Sequence, residues 1–296
     1  MNTTDDYRPM TVPGRLPAGL YIVGTPIGNL GDLSPRAVQT LQNADLIACE
    51  DTRVFGKLAA HFDIKAKKIS FHDHNERDMV QNLTEMIAGR MSPSGEQILE
   101  GTIPGLAIAL ASDSGMPAIS DPGFRLVRAC RTTGLPVFVV PGPTAFASAL
   151  VLSGFPTDRF TFCGFFDEKK ARDDNKIRHT ILYYESPNRI MDTIATLARI
   201  MPERRIAIVR EITKIHEETI IGYPAELLVV IPAKAGTPRG EIVIVVEPAP
   251  EHKMSDDEIS EIVNDVVSGS TKSNAADVSR QAGISKKEAY RRLINK

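Results

Sequence analysis

Short apolar runs alternate with helical stretches over the first half of the chain, and this alternation constrains the fold more than any other feature. Five runs have the character of buried strands: Leu20–Val23, Asp45–Cys49, Lys68–Phe71, Leu106–Ala111 and Val137–Val140. One helix between them starts at Ser34-Pro35, where serine can cap free amides and proline suits the first turn. Continuous apolar strands that alternate with helices predict a parallel sheet covered on both faces.

A second series of elements follows in the other half of the chain. Strands are predicted at Phe160–Phe165, Ile181–Tyr184, Arg205–Val209, Glu218–Ile221 and Ile242–Val246. The length of 296 residues is comfortable for two domains. We therefore expect a flexible leader over 1–18, an N-terminal α/β domain over 19–141 and a C-terminal α/β domain over 142–250.

The segment 255–296 is predicted to be a small helical unit. Apolar residues between Ile259 and Val267 fall on one helical face. Two more helices are predicted on either side of Gly283, in the manner of a helix-turn-helix, although Ser279 stands where alanine is more usual. Between Lys272 and Lys296 seven residues are basic and two are acidic, while the whole chain has a net charge of −2. The basic segment suits contact with a polyanion, and a solvated helix face explains it equally well.

Composition argues against several classes of protein. The three cysteines are widely spaced and no pair has zinc-ligand spacing, so reduced thiols in a cytosolic protein are expected. A metal site at His72-Asp73-His74 is disfavoured because alternate residues on a strand point to opposite faces. No signal peptide or membrane-spanning run is found. We expect a cytoplasmic protein with no membrane contact and no metal.

Loops rich in glycine and proline follow two of the predicted strands. Gly24–Asp32 follows the first strand and matches neither the dinucleotide fingerprint nor a P-loop. Ser112–Pro117 and Ser120–Gly123 follow the fourth strand, and each contains an aspartate. We expect Asp113 to lie near a ligand and Asp121 to cap the helix that follows.

These loops and several further segments resemble the tetrapyrrole methylase superfamily, and within it the RsmI-type 16S ribosomal RNA cytidine 2′-O-methyltransferases. The matching segments are Val23–Leu30, Cys49–Arg53, His72–Glu76, Ser112–Pro117, Asp121–Gly123, Pro141–Thr144, Gly154–Phe160, Tyr184–Arg189, Arg210–Lys214 and Arg239–Glu241. The resemblance implies a tetrapyrrole-methylase-like α/β fold of two domains, with S-adenosylmethionine in the interdomain cleft and usually a homodimer. It also implies that 16S rRNA, free or in the small ribosomal subunit, is the substrate.

The resemblance further implies which residues line the cofactor cleft. By position in the superfamily motifs they are Pro26, Ala111, Ser112, Asp113, Met116, Thr144, Ala145, Tyr184 and Gly222.

Methyl transfer to a ribose oxygen requires alignment of the oxygen with the methyl carbon, and a base that takes the hydroxyl proton helps. Asp51 is the first choice for this base, because in the tetrapyrrole-methylating relatives the matching aspartate lies near the substrate. Glu50 and His72 are alternatives, since His72 has an imidazole that titrates near neutrality. Capping of the next helix by Glu50 and Asp51 stays an open alternative.

Substrate contacts are expected at Arg53, His74, Glu76, Arg189 and Lys214. Arg53 could hold a phosphate and His74 could bind RNA. For Arg189 and Lys214 a buried ion-pair network is an equal alternative.

Two other functions remain open at this point. The fold also permits methylation of a tetrapyrrole precursor, because fold alone does not settle function. The helix-turn-helix-like tail also fits a DNA-binding regulator with a ligand-sensing α/β body.

Overall fold

The computed structural model describes residues 14–99, 104–235, 240–250, 256–265, 271–282 and 284–294. The chain divides into two compact units, 1–248 and 249–296. Most of the predicted leader lies outside the described residues. The first unit contains two five-stranded sheets, and its division into two α/β domains remains a prediction.

The first sheet is parallel throughout, as predicted. Its strands are β1 (Gly19–Val23), β2 (Leu46–Cys49), β3 (Lys67–Ser70), β4 (Ala107–Ala111) and β5 (Val137–Val140), in the order β3-β2-β4-β1-β5. Every residue of β1, β2 and β4 is buried, which explains their continuous apolar sequences.

Helices cover both faces of this sheet. They are α1 (Pro35–Asn43), α2 (Thr52–His61), α3 (Glu76–Ile87) and α4 (Phe124–Thr132). Apolar residues of α1 and α2 pack on one face, and those of α3 and α4 pack on the other. The predicted start of α1 is confirmed, because the Ser34 hydroxyl accepts a hydrogen bond from the Ala37 amide at 3.1 Å.

The second sheet is mixed. Its strands are β6 (Phe160–Phe165), β7 (Thr180–Glu185), β8 (Ile206–Arg210), β9 (Glu218–Gly222) and β10 (Ile242–Val246), in the order β6-β7-β10-β8-β9. Only β6 and β7 are parallel neighbours, and the other pairs are antiparallel. All five strands had been predicted to within one or two residues.

Helices also lie on both faces of the second sheet. One face carries α5 (Ala145–Ser153), and the other carries α6 (Glu168–Asp174), α7 (Ile190–Ile200) and α8 (Pro224–Ala235). Helices α6 and α8 had not been predicted. α6 is short and highly charged, and α8 has apolar residues all round, so neither has a clear amphipathic pattern.

A buried arginine joins loops at one end of the second sheet. Arg204 is 2% exposed, and its guanidinium donates to three backbone carbonyls: to Glu247 at 2.6 Å, Ile177 at 3.0 Å and His179 at 2.9 Å. Burial lowers the pKa of Arg204 to about 10. The three hydrogen bonds offset the cost of removing this cation from water.

The described residues of the second unit form three helices: α9 (Asp256–Asp265), α10 (Thr271–Ala282) and α11 (Lys286–Ile294). Ile259, Val278 and Ala289 are central to its small apolar core. The Ser279 hydroxyl donates to the Ile284 carbonyl at 2.7 Å, so this serine supports the turn between α10 and α11. The predicted helices are confirmed, while Gly283 and Val267 lie outside the described residues.

Within the described residues no helix is long and apolar enough to cross a bilayer. All three cysteines have free thiols, and Cys49 and Cys130 are buried. Burial raises the pKa of each of these two thiols to about 11.

Candidate active site

A cavity of about 460 Å³ lies where loops at the carboxyl ends of the first sheet face the second sheet. The first sheet contributes the loops that follow β1 and β4 and the start of α5. The second sheet contributes the end of β7 and the start of β10, where Glu185 and Ile242 are register partners. Ligands of α/β proteins bind at the carboxyl ends of parallel strands. This cavity is therefore the candidate active site.

Aromatic side chains form part of the cavity wall. Tyr184 and Phe165 line it, and their ring centroids are 5.7 Å apart in an edge-on arrangement. Phe162 lies 4.8 Å from Tyr184 and 4.6 Å from Phe146, measured between ring centroids. A bulge in β6, where Gly164 has a φ of 72°, breaks the register just before Phe165. Phe165 remains 56% exposed, which suits it to stacking on a flat ligand.

Hydrogen bonds fix the loop that follows β4 against the loop that follows β1. The Thr25 amide donates to the Gly115 carbonyl at 2.9 Å, and the Thr25 hydroxyl donates to the Ser112 carbonyl at 3.1 Å. The Ser112 hydroxyl donates to the Gly115 carbonyl at 3.0 Å. Gly115 lines the cavity, and so does Ile27, two residues after Thr25. These bonds therefore hold in place the part of the cavity wall that the two loops form.

Backbone strain occurs on both sides of the cavity. Ala118 and Ser120 have φ angles of 67° and 59° in the loop after β4. Glu211 and Thr213 have φ angles of 52° and 68° in the loop after β8. Residues with side chains rarely adopt such angles, and they cluster at functional sites where the surrounding structure holds them.

The expectation that Asp121 caps α4 is wrong. The Glu76 carboxylate performs this role: it accepts from the amides of Gly123 at 3.0 Å and Arg125 at 3.2 Å. The Arg125 guanidinium also pairs with it at 3.3 Å. Glu76 is only 6% exposed, so the structure gives this predicted substrate residue a structural role.

Asp121 instead lines the cavity, within a group of carboxylates. Burial raises the pKa of Asp121 to about 7, with a further upward contribution from the charges of Glu50, Asp113 and Asp73. The Ser112 hydroxyl, which is close by, lowers the pKa of Asp121 and so acts in the opposite direction. A carboxyl group that titrates near neutrality can take or give a proton under physiological conditions.

Asp51, the first choice for the base, is hydrogen-bonded to its neighbour Arg53. Its carboxylate accepts from the Arg53 amide at 2.8 Å and from the Arg53 guanidinium at 2.7 Å. These hydrogen bonds hold the pKa of Asp51 well below its usual range. Its place at the N-cap of α2 confirms the alternative of helix capping, and a carboxylate of such low pKa is a weak base.

Glu50 and His72 lie beside the cavity without lining it. Burial, followed by the charges of Asp113 and Asp73, raises the pKa of Glu50. The Nδ1 atom of His72 is buried and has no hydrogen-bond partner among the described residues. No group of three or more potential metal ligands was found within that part of the chain.

The other predicted substrate residues are mostly held in ion pairs. Lys214 lines the cavity, and its ammonium lies 2.8 Å from the Glu211 carboxylate. Arg189 pairs at 2.8 Å with Glu185, whose side chain is 1% exposed. The exposed side chain of Arg53 pairs with Asp51, as described above. His74 is also exposed, and its ring centroid lies 5.8 Å from that of His72.

The structure brings together four of the predicted cofactor residues, Met116, Thr144, Ala145 and Tyr184, all of which line the cavity. Pro26 precedes the lining residue Ile27 in the sequence. Ala111, Ser112 and Asp113 similarly precede the lining residue Ser114, and none of these four lines the cavity itself.

Gly222 is not brought to the cavity. It pairs with Ile206, at the far end of β8 from Arg210. Arg210 pairs with Ile242, which does line the cavity.

Part of the cavity wall had not been predicted from the sequence. Phe165, Gly240, Glu241 and Val243 line the cavity without having been predicted. A signal was present for two of them, because Gly240 and Glu241 belong to one of the segments that carry the family resemblance. Phe165 offers no such signal, since its exposure results from the bulge.

Two five-stranded sheets frame this cavity at their strand ends. The profile of the family described as Tetrapyrrole (Corrin/Porphyrin) Methylases matches residues 19–228, so the chain belongs to this family.

Two relatives of similar sequence share one name. The Ribosomal RNA small subunit methyltransferase I of Vibrio cholerae serotype O1 is 44% identical over 244 residues, which cover 80% of this chain and 79% of that protein. The protein of the same name from Mesorhizobium japonicum is 36% identical over 292 residues, which cover 96% and 94%.

The crystal structure of the methyltransferase CobJ is 18% identical to this chain, with a TM-score of 0.57. It covers 80% of this chain and 97% of its own. At this identity the likeness shows the fold alone.

Proposed function

We propose that the protein transfers a methyl group from S-adenosylmethionine to the 2′-oxygen of a cytidine in 16S rRNA, and that it acts in the cytoplasm. The observation that carries this proposal is the 36–44% identity, over most of both chains, to proteins named Ribosomal RNA small subunit methyltransferase I. The choice of a cytidine and of its 2′-oxygen rests on the resemblance of the sequence motifs.

The cavity suits S-adenosylmethionine in size and chemistry. Its volume of about 460 Å³ is in the usual range for small-molecule sites. Ile27, Met116 and Val243 offer apolar surface to the adenosyl group, and Tyr184 offers an aromatic ring. The start of α5 at Ala145 faces the cavity, and free amides at a helix N-terminus favour a carboxylate. When bound, this cofactor supplies an electrophilic methyl group.

The residues of the chain would then hold the acceptor ribose in line with that methyl group. Phe165, exposed at the rim, can stack on the target base. Lys214 can attract a phosphate, although its ion pair with Glu211 reduces the charge it offers. Orientation of this kind lowers the barrier of a displacement reaction by roughly 7–11 kcal/mol.

The function is tested by the transfer of labelled methyl from S-adenosylmethionine to small ribosomal subunits from cells that lack this protein. Nuclease mapping should place the label on one cytidine 2′-oxygen. Label on a precorrin-like acceptor, with none on the subunits, would contradict the rRNA proposal and favour a tetrapyrrole precursor. Sequence-specific DNA binding without methyl transfer would instead favour the regulator.

A homodimer is part of the proposal. Apolar side chains are exposed on the first unit at Val139, Val151 and Val229, which are 56%, 73% and 72% exposed. These valines lie on β5, α5 and α8, and α5 and α8 are on opposite faces of the second sheet, so they form no single patch and the homodimer rests on the family resemblance.

We also propose that the second unit binds rRNA phosphates. Lys286 and Lys287 are exposed at the start of α11, and Arg291 follows one turn later with its side chain 69% exposed. Phosphate contacts from lysine and arginine supply much of the affinity for nucleic acids. The unit also has its own apolar core, so it can present these charges on a fixed helix.

Deletion of residues 255–296 is expected to weaken binding to small ribosomal subunits while leaving S-adenosylmethionine affinity unchanged. The double variant Lys286→Gln, Lys287→Gln should weaken subunit binding several-fold and reduce its salt dependence. The matched control is Lys169→Gln, Lys170→Gln, two exposed lysines near the start of α6. Filter binding at two salt concentrations measures the full chain and the three variants. Equal affinity of the deletion and the full chain would disprove the proposal.

A further inference from the structure

Capping of α4 does not explain the position of Asp121 in the cavity. The capping of α4 is supplied by Glu76, so Asp121 is not needed to start that helix. It follows Ser120, whose φ of 59° is strained, and it lines the same cavity as Met116 and Tyr184. A strained turn that directs a carboxylate into a cavity suggests selection for function over stability.

We propose that Asp121 is the general base, which takes the proton from the acceptor hydroxyl as the methyl group is transferred. This inference rests on the proposed methylation of a ribose hydroxyl. It replaces Asp51, the choice made from the sequence, because only Asp121 of the two lines the cavity.

The other carboxylates near the cavity are less well placed for this role. Asp51 is bonded to Arg53, as described above. Asp113 accepts a hydrogen bond from the Asp51 amide at 3.2 Å, and neither it nor Glu50 lines the cavity. Glu185 and Glu241 do line the cavity, but the Glu185 carboxylate is paired with Arg189 and the Glu241 carboxylate lies 3.4 Å from the Lys214 ammonium.

The chemical step balances with Asp121 as the proton acceptor. The ribose oxygen forms a bond to the methyl carbon, and the bond between that carbon and sulfur breaks with its electron pair left on sulfur. The hydroxyl proton moves to a carboxylate oxygen of Asp121. The sulfonium charge and the carboxylate charge both disappear, so the cavity goes from an ion pair to two neutral groups. Solvent then removes the proton from Asp121.

The surroundings of Asp121 determine the pH at which it works. The groups that face it are Glu50 after β2, Asp73 after β3, Asp113 after β4 and Tyr184 in β7. Lys214 and Glu241 line the same cavity, and Glu211 pairs with Lys214. Burial and the three neighbouring carboxylates raise the pKa of Asp121 to about 7. Because a base must be deprotonated, activity should fall as the pH drops below about 7.

Asp121→Asn is expected to lower kcat by about 100-fold or more, because general base catalysis contributes at least this much. Its dissociation constant for S-adenosylmethionine should stay within about threefold of the original value. The acid limb of the kcat profile near pH 7 should also be lost. Single-turnover methylation of small ribosomal subunits and calorimetry measure these quantities.

The matched control is Asp73→Asn, which makes the same chemical change at an exposed carboxylate that does not line the cavity. It should keep its maximal rate. Its acid limb should move to lower pH, because a negative charge that raises the pKa of Asp121 has been removed.

A further readout does not depend on activity. Carbon NMR of the Asp121 carboxyl group in the protein without ligands should show titration near pH 7, and this signal should be absent from Asp121→Asn. Titration below pH 5 would overturn the inference. So would an Asp121→Asn variant that keeps kcat within threefold while Asp51→Asn loses it. If the unaltered protein methylates no ribosomal subunit, the proposed function fails first, and the NMR titration still reports on Asp121 by itself.

Discussion

Arg204→Met is expected to lower the free energy of unfolding by about 2–4 kcal/mol. Methionine can fill much of the space of the arginine side chain, but it donates no hydrogen bonds. The carbonyls of Ile177, His179 and Glu247 would then lose their shared donor in a partly buried place. The relief of a buried charge offsets part of this cost, which is why the expected loss is smaller than three full hydrogen bonds. Urea unfolding followed by circular dichroism measures the change.

The neighbouring residue gives a matched control. Arg205 pairs with Glu247 at 2.6 Å, but both side chains are partly exposed, at 47% and 26%. Exposed ion pairs contribute about 0–1 kcal/mol, so Arg205→Met should change stability by no more than about 1 kcal/mol. Similar losses for the two variants would contradict the claim that the buried carbonyl contacts of Arg204 are the important ones.

Gly123→Ala is expected to cost about 2–4 kcal/mol of stability and to reduce methyl transfer. The φ angle of Gly123 is 133°, which residues with a side chain rarely adopt. An added Cβ would lie 2.6 Å from Cδ2 of Leu110, a fully buried side chain of β4. Relief comes from a shift of the buried Leu110 side chain or of the loop that contains Asp121, and we expect the shift of the loop to lower kcat together with stability. Thermal unfolding and the methyl-transfer assay measure the two effects.

Two other glycines allow the cost of a positive φ angle to be separated from the cost of the contact with Leu110. Gly134 has a φ of 71°, but an added Cβ would meet nothing within 4 Å, so Gly134→Ala should cost only about 1 kcal/mol of strain. Gly56 lies within α2, where an added Cβ would also be in open space, so Gly56→Ala should increase stability by about 0.5–1 kcal/mol. If Gly123→Ala and Gly134→Ala cost the same, the contact with Leu110 contributes nothing.

Much of the fold could be predicted from the sequence because its strands are buried. In β1, β2 and β4 every residue must be apolar, so the strands stand out from the polar loops around them. The sequence does not indicate that β6 alone is parallel to β7 in the second sheet, because pairing direction depends on how the connections cross. Helix α8 was not predicted, because its apolar residues follow one another without the spacing of an amphipathic helix.

The site was only partly predictable, for reasons of geometry. Motif resemblance located Met116, Thr144 and Tyr184, which line the cavity. It did not distinguish the two aspartates that follow strands, because Asp51 and Asp121 both precede helices and both fit the pattern of an N-cap. Only the fold shows that Glu76, distant in sequence, caps α4, so that Asp121 does not serve as its cap.

The order of the first sheet has a consequence for synthesis on the ribosome. Strand β1 lies between β4 and β5, although it is translated before both of them. At roughly 5–20 residues per second, on the order of ten seconds pass before Ala107 and the rest of β4 emerge. During that interval the apolar segment Gly19–Val23 has no strand to pair with. The nascent chain therefore exposes this apolar segment, or packs it against α1, until β1 finds both of its neighbours.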